Sequence, residues 1–325
     1  MTSLASISPE RATARRRLPA MLLVACAAIA VIVAFGGYFV TVVCFAAIYA
    51  LFVSGLNLFM GYTGQVSFGQ NAFAALGGYA TAVLTTRLHL DPLAALVCGA
   101  LLSAAIAAAV GYPTLRLRGH YLAMATLALG LIAYEVAVQW NGLTQGYMGI
   151  SGIPGLGFAG FEIDNERLQA IVLLAIAALG MGAAVRLRRS RFGRALGAIA
   201  GSEEAAQALG VDVTRYKLWA FVIAAVYASI AGSLMAQYVG FVSPEVFGLS
   251  MVVLGFTMLY VGGIGNVSGP LIGALIVEAL PQAVSGLKDY QDLVYGVGLL
   301  VILIYAPKGL AAVDRGVPFK PGSKS

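Results

Sequence analysis

Charge is scarce in this chain: only 10% of its 325 residues are Asp, Glu, Lys or Arg, against 60% hydrophobic. One soluble core of this size could not hide so much apolar surface, so lipid must solvate a large part of it. Histidine is nearly absent, with His89 and His120 alone, too few for a histidine metal site. No Ser/His or paired-aspartate arrangement stands out, which argues against an intramembrane enzyme. The three cysteines, Cys26, Cys44 and Cys98, lack metal-ligand spacing and read as small apolar side chains. There is no G-x-x-x-x-G-K-[S/T], so the chain has no phosphate-binding loop of its own.

What is present is a series of apolar runs near the roughly 17–25 residues needed to cross a hydrocarbon core of about 30 Å. They fall near 19–37, 39–60, 66–86, 93–112, 119–139, 168–185, 218–239, 249–261, 270–286 and 291–306. The expected fold is an all-α integral membrane protein of about ten transmembrane helices. The third run opens with glycines and amides, and the eighth and tenth are short, so broken or re-entrant segments are expected there. All Lys and Arg except Arg87, Arg167 and Lys288 fall on one face if the spans alternate, and that face is expected to be cytoplasmic, with both termini on it. The net charge of +6 is thereby a topology signal. A nucleic-acid partner would need a soluble basic patch, and none is present. The apolar stretch from Leu18 to Phe35 after Arg15, Arg16 and Arg17 looks like a signal peptide and is expected to be retained as an anchor.

One domain is expected: a tail over 1–18, a transmembrane domain over 19–306 and a tail over 307–325, with no low-complexity linker. Between Arg186 and Lys217 the apolar pattern breaks into a basic, helical segment. Within it, Ser202 can cap a helix N-terminus, Glu203 and Glu204 suit its positive end, and Gly210 can take the left-handed conformation that stops it. A helix of about two turns is marginal alone and needs a surface to hold it. Glu203, Glu204, Ala205, Ala206 and Gly210 are therefore the candidate docking residues, and the small alanines allow close approach.

A weak internal repeat joins Gly61-Tyr62-Thr63-Gly64-Gln65-Val66-Ser67 to Gly262-Gly263-Ile264-Gly265-Asn266-Val267-Ser268. Duplicated halves with glycine-broken helices are common in transporters. The span count runs the helices before the two motifs in the same direction, whereas an inverted repeat would oppose them. Polar groups in or beside spans, Asn57, Gln65, Ser67, Gln70 and Asn71, with Asn266 and Ser268 from the second motif, are read as candidates for a lined pathway, or else as interhelical hydrogen bonding. Glu135 and Glu278 are carboxylates inside spans, where an uncompensated charge is unfavourable by a few kcal/mol.

The ordered blocks Gly55-Leu56-Asn57-Leu58, Gly61 to Gly69, Ala75 to Tyr79, Arg116 to Ala123, Gly149 to Pro154 and Gly193 to Leu196, with Glu204-Ala205-Ala206 and Gly210, and then Gly262-Gly263-Ile264-Gly265 with Gly269-Pro270, resemble the LivM-type permeases of branched-chain amino acid ABC importers over roughly residues 40–310. The resemblance implies a transport subunit, not an enzyme, that binds no cofactor itself because ATP is bound by partner subunits. It implies a second, LivH-like permease, two cytoplasmic ATPase subunits docking on a coupling helix in 186–217, and an extracytoplasmic solute-binding protein. Three departures stand out. Leu131 occupies a place where the family often has Glu, and Glu135 would stand in one turn along. Thr144-Gln145-Gly146-Tyr147 replaces Thr-Gly-Gly, and Gly197 to Ser202 has lost the usual charge. Urea, short amides and aromatic acids remain open as substrates, and an ATP-independent secondary carrier is the rival class.

Overall fold

The computed structural model describes residues 37–117, 119–158, 161–163, 165–283 and 296–297. The first expected span and almost all of the tenth lie outside these residues. The rest is mostly helical. Helix α1 (Tyr38–Leu56) runs into a π-helical turn (Asn57–Gly61), and α2 (Gln70–Leu88), α3 (Pro92–Thr114) and α4 (His120–Gln139) follow. A connecting segment holds the short α5 (Asn141–Thr144), a 3-10 turn (Gly146–Met148) and strands β1 (Ile150–Ser151), β2 (Gly157–Phe158) and β3 (Phe161–Glu162). Then come α6 (Glu166–Arg189), α7 (Arg191–Gly201), α8 (Glu203–Ala208) and α9 (Val213–Val239). Strand β4 (Phe241–Val242), a 3-10 turn (Pro244–Phe247), α10 (Leu249–Gly262) and α11 (Gly269–Ala283) complete it.

Local chemistry sets the helix limits. Asp91 accepts from Leu93 N at 2.9 Å with Pro92 at the first helical position, Asn165 accepts from Arg167 N at 3.0 Å, and Asp212 accepts from Arg215 N at 3.1 Å. Each satisfies an amide that a helix start leaves orphaned. Gly240, at φ 72°, ends α9 in the left-handed conformation that glycine adopts without a steric penalty.

Among the described residues, five helices, Phe39–Gly61, α3, α4, α6 and α9, are long and apolar enough to cross a membrane. Burial sorts them: 78% of the apolar window is buried in the first and 67% in α9, but only 22% in α3 and α4. Helices that are apolar all round and buried form the centre, while those with one buried stripe form the rim. On α4 the stripe is Leu122, Thr126, Gly130 and Ala137. Small residues let the central helices touch backbone to backbone, as membrane helix packing requires. A Cβ on Gly77 of α2 would lie 2.1 Å from Ser229 O of α9, and one on Gly232 of α9 would lie 2.0 Å from Ala74 O.

Two features of the connecting segments position the site. The third expected span, 66–86, begins helically only at Gln70, after a non-helical stretch over 64–69 that Gly64, at φ 71°, turns away from the π-helical end. The segment 141–168 carries short elements of its own. Its β1 pairs antiparallel with β4, Ile150 opposite Val242, while Arg87 donates to the carbonyls of Gly142 and Leu143 at 2.9 and 3.2 Å.

Candidate functional site

The two glycine motifs meet. Asn57, 2% exposed, accepts through Oδ1 from Gly265 N at 2.7 Å and donates through Nδ2 to Asn266 O at 2.7 Å. One side-chain amide thus completes two backbone groups of the second motif, which a loop beside apolar helices would otherwise leave unsatisfied. Close approach also requires Gly61, where a Cβ would lie 2.7 Å from Gly265 N. Helices α1 and α10 run parallel into this junction, since Gly255 packs on Phe52 and Leu56 while Gly265 lies at Gly61. The parallel direction matches the span count, and the repeat is not inverted at this point.

The docking segment closes over the same junction. Ser202 Oγ accepts from Ala205 N at 3.2 Å to cap α8, and Gly210 follows at φ 83°. Ala206 is buried, whereas Glu204, Ala205, Gln207 and Leu209 are exposed. Glu203 turns inward: its Oε1 accepts from Gln65 Nε2 at 2.9 Å and pairs with Lys217 Nζ, whose side chain is 3% exposed. A buried ammonium requires such a partner. Arg188, at the end of α6, donates to Gly265 O at 2.5 Å and lies over the Tyr62 ring. Gly64 lies against Ala200 of α7. Both motif loops, α6, α7 and α8 are thereby one connected unit, and a cavity of about 490 Å³ lined by Leu115, Arg116, Glu203, Gln207, Asp212 and Lys217 opens beside it.

A second cluster lies deeper. Asn71 donates to Phe247 O at 2.9 Å, and Phe68 N donates to Thr126 Oγ1 at 3.1 Å. A Cβ on Gly130 would lie 2.5 Å from Asn71 Oδ1. Ser67 Oγ, both amide atoms of Gln70 and Asn71 Oδ1 are buried without a hydrogen-bond partner among the described residues. Beside them Phe68 stacks on Phe256, ring centroids 4.6 Å apart, over an apolar groove shared with Val253, Thr257 and Tyr260.

The sequence-predicted residues thus divide. Asn57, Gln65, Asn266, Glu203 and the α8 residues come together at the junction. Ser67, Gln70 and Asn71 form the deeper group, and Ser268 is half-buried at the start of α11. Glu135 stands apart, exposed near the end of α4 and accepting from Gln139 Nε2 at 3.3 Å. Glu278 is half-buried on α11. Sequence reading missed Lys217 and Arg188 as parts of the junction. For Lys217 the available signal was its place directly before the apolar run 218–239; nothing in the sequence singles out Arg188 from Arg186 and Arg189.

Comparison with known proteins places the chain in a family. The family described as the branched-chain amino acid transport system / permease component matches residues 38–304. The high-affinity branched-chain amino acid transport system permease protein LivM of Salmonella typhimurium is 31% identical over 291 residues, covering 82% of this chain and 68% of that protein. The LivH permease of Escherichia coli is 28% identical over 282 residues, covering 81% and 90%. A solved structure, PsaBC from Streptococcus pneumoniae in complex with Fab, overlaps at a TM-score of 0.41 and 17% identity over 88% of this chain and 98% of that one, too weak a likeness to carry the fold. The match across 38–304 includes both glycine motifs, the deeper polar cluster and the docking segment, and the chain belongs to the family of branched-chain amino acid transport system permease components.

Proposed function

We propose that this chain is a transmembrane permease subunit of an ABC importer that moves branched-chain amino acids across the cell's inner membrane. The observation that carries the reading is the union of family membership with the Gln65–Glu203–Lys217 linkage, which ties a short, outward-facing helix to a loop of the transmembrane bundle. A transport subunit without a phosphate-binding loop needs such a helix to receive work from another protein. The chain itself binds no cofactor; ATP is bound by two cytoplasmic ATPase subunits, one of which docks on α8. A second, LivH-like permease pairs with it within the lipid, and an extracytoplasmic binding protein delivers the solute at the β1–β4 end.

In this reading the full domain spans 19–306 with ten helices, and the coupling segment 186–217, which holds the end of α6 with α7 and α8, lies with both tails on the cytoplasmic side. ATP binding draws the ATPases together and pulls α8. Because Glu203 is bonded to Gln65 and Lys217, that motion reaches the motif junction held by Asn57 and changes which side of the pathway is open. Ser67, Gln70, Asn71 and Ser268 line the pathway, and Glu135 meets solvent or the sister permease. A sugar or other small solute is the second reading, supported by the 32% identity over 179 residues to the xylose transport permease XylH of Escherichia coli, which covers 49% of this chain.

The test is co-purification followed by uptake. Tagged protein should bring down ATPase subunits, and reconstituted vesicles should accumulate leucine only with ATP and a loaded binding protein. Uptake driven by the isolated chain without ATP would overturn the reading.

A further inference from the structure

Two helices begin inside the bundle rather than at its ends, and they begin at the same place. Helix α4 is 20 residues long, about 30 Å, and Gly130 stands halfway along it. Asn71, on the first turn of α2, packs on Gly130, so α2 starts level with the middle of α4. Helix α10 has 14 residues, about 21 Å, too short to cross a hydrocarbon core of about 30 Å. It starts after Gly248, and the carbonyl of the preceding residue, Phe247, is the one that Asn71 Nδ2 bonds at 2.9 Å. The N-terminal ends of α2 and α10 are therefore side by side at mid-depth.

Neither end is capped by a side chain: their N-cap residues are Gly69 and Gly248. Each presents orphan amides and the positive end of a helix dipole, and together they reinforce one another in a low-dielectric setting. A second, independent observation points to a ligand. Gln70, the first residue of α2, is 1% exposed with Nε2 and Oε1 both unpartnered among the described residues, and Ser67 Oγ, 0% exposed, is likewise unpartnered. Helical side chains tilt toward the N-terminus, which directs the Gln70 amide back to this meeting point. Glu245, the nearest acid before α10, is exposed and does not share that burial.

We propose that the meeting of the α2 and α10 N-termini, with the Gln70 amide and the Ser67 hydroxyl, is a carboxylate subsite that holds the α-carboxylate of the solute partway through the membrane. The positive helix ends attract the anion, Gln70 Nε2 and Ser67 Oγ donate to it, and the adjacent Phe68–Phe256 groove accepts an aliphatic side chain. A buried donor set left empty costs free energy, so the passing solute meets partners that water cannot easily supply there. The inference rests on the importer reading for its solute but stands on its own chemistry: any small carboxylate with an apolar tail should bind.

The test uses the assembled importer, this chain with its sister permease and ATPases, in nanodiscs without binding protein. Retention of radiolabelled leucine is measured against three competitors: unlabelled leucine, 4-methylpentanoate, which lacks the amine, and leucinamide, which lacks the carboxylate. Leucine and 4-methylpentanoate should displace the label and leucinamide should not. Gln70→Leu should weaken retention at least tenfold. Gln70→Glu, which keeps the side chain's size but adds a like charge, should weaken it further while leaving the melting temperature near that of wild type. Equal competition by leucinamide, unchanged retention in both variants, or a wild-type complex that retains no carboxylate ligand would each overturn the subsite. ATP-dependent leucine uptake by the wild-type importer with its binding protein, run in parallel, reports on the importer reading separately.

Discussion

Gln65 Nε2 donates to Glu203 Oε1 at 2.9 Å across 138 positions of sequence, and the same oxygen pairs with Lys217. The first acid of the docking helix is therefore committed inward, to the transmembrane bundle, and leaves Glu204, Gln207 and Leu209 to meet whatever lies outside. A helix of six residues has almost no intrinsic stability, so its position is set by this linkage and by the burial of Ala206.

Removing one member of the pair should be worse than removing both. Lys217→Met leaves a carboxylate still able to reach Gln65, whereas Glu203→Gln leaves an ammonium buried with only neutral partners, a loss on the order of 3 kcal/mol. The expected order of thermal stability for the purified complex is wild type, then the double variant Glu203→Gln/Lys217→Met, then Glu203→Gln. Additive losses in a double-mutant cycle would show that the pair is not coupled.

Leu209, 83% exposed at the end of α8, is an apolar side chain that the described residues leave uncovered. Leu209→Glu should leave the folded permease intact and abolish its recovery of ATPase subunits in a pull-down, with ATP-dependent uptake falling at least tenfold. Recovery of the ATPase at wild-type yield would place its contact elsewhere.

The Asn57 clamp makes a stability prediction. Asn57→Ala deletes both hydrogen bonds and leaves Gly265 N–H and Asn266 C=O without that partner, at about 1–3 kcal/mol for each buried group so exposed. Melting of the detergent-purified protein should drop by several degrees, with a larger effect than Ser268→Ala, whose side chain is only half-buried.

Some of this was legible in the sequence because it depends on neighbours along the chain. Ser202 as cap, Gly210 as stop and the helix limits near 93–112, 119–139 and 218–239 follow from capping chemistry and run length, and α3, α4 and α9 occupy those positions. The candidate amides were legible as residue types out of place in apolar runs. Their partners were not, because Asn57 and Gly265 lie 208 positions apart and no local pattern encodes their meeting. The glycines and amides at the head of the third run pointed to a break there, but the start of α2 at Gln70 was not legible: Val66, Ser67 and Phe68 look like the head of an apolar span, and Gly69 packs against Thr126 where the backbone is still non-helical. Helix α7 falls within the segment expected to be helical, but its limits were blurred by Gly193, Gly197 and Gly201, which weaken helix propensity while two buried residues, Leu196 and Ile199, hold it in place.

Those glycines supply the last prediction, because position alone separates them from the glycines of the core. At Gly77 an added methyl group would sit 2.1 Å from a carbonyl oxygen of α9, and at Gly232 it would sit 2.0 Å from one of α2, so backbone must move in either case. At Gly197 of α7 and Gly182 of α6 nothing lies within 4 Å of the added carbon. Gly77→Ala and Gly232→Ala should each lower stability by about 1–3 kcal/mol through overpacking and reduce the yield of folded protein. Gly197→Ala and Gly182→Ala should be neutral or stabilise by up to about 1 kcal/mol, since alanine is the better helix former. Thermal melts of the four variants in one detergent decide it. If Gly77→Ala melts with wild type, the close crossing of α2 and α9 does not hold, and the central position of α9 in the bundle fails with it.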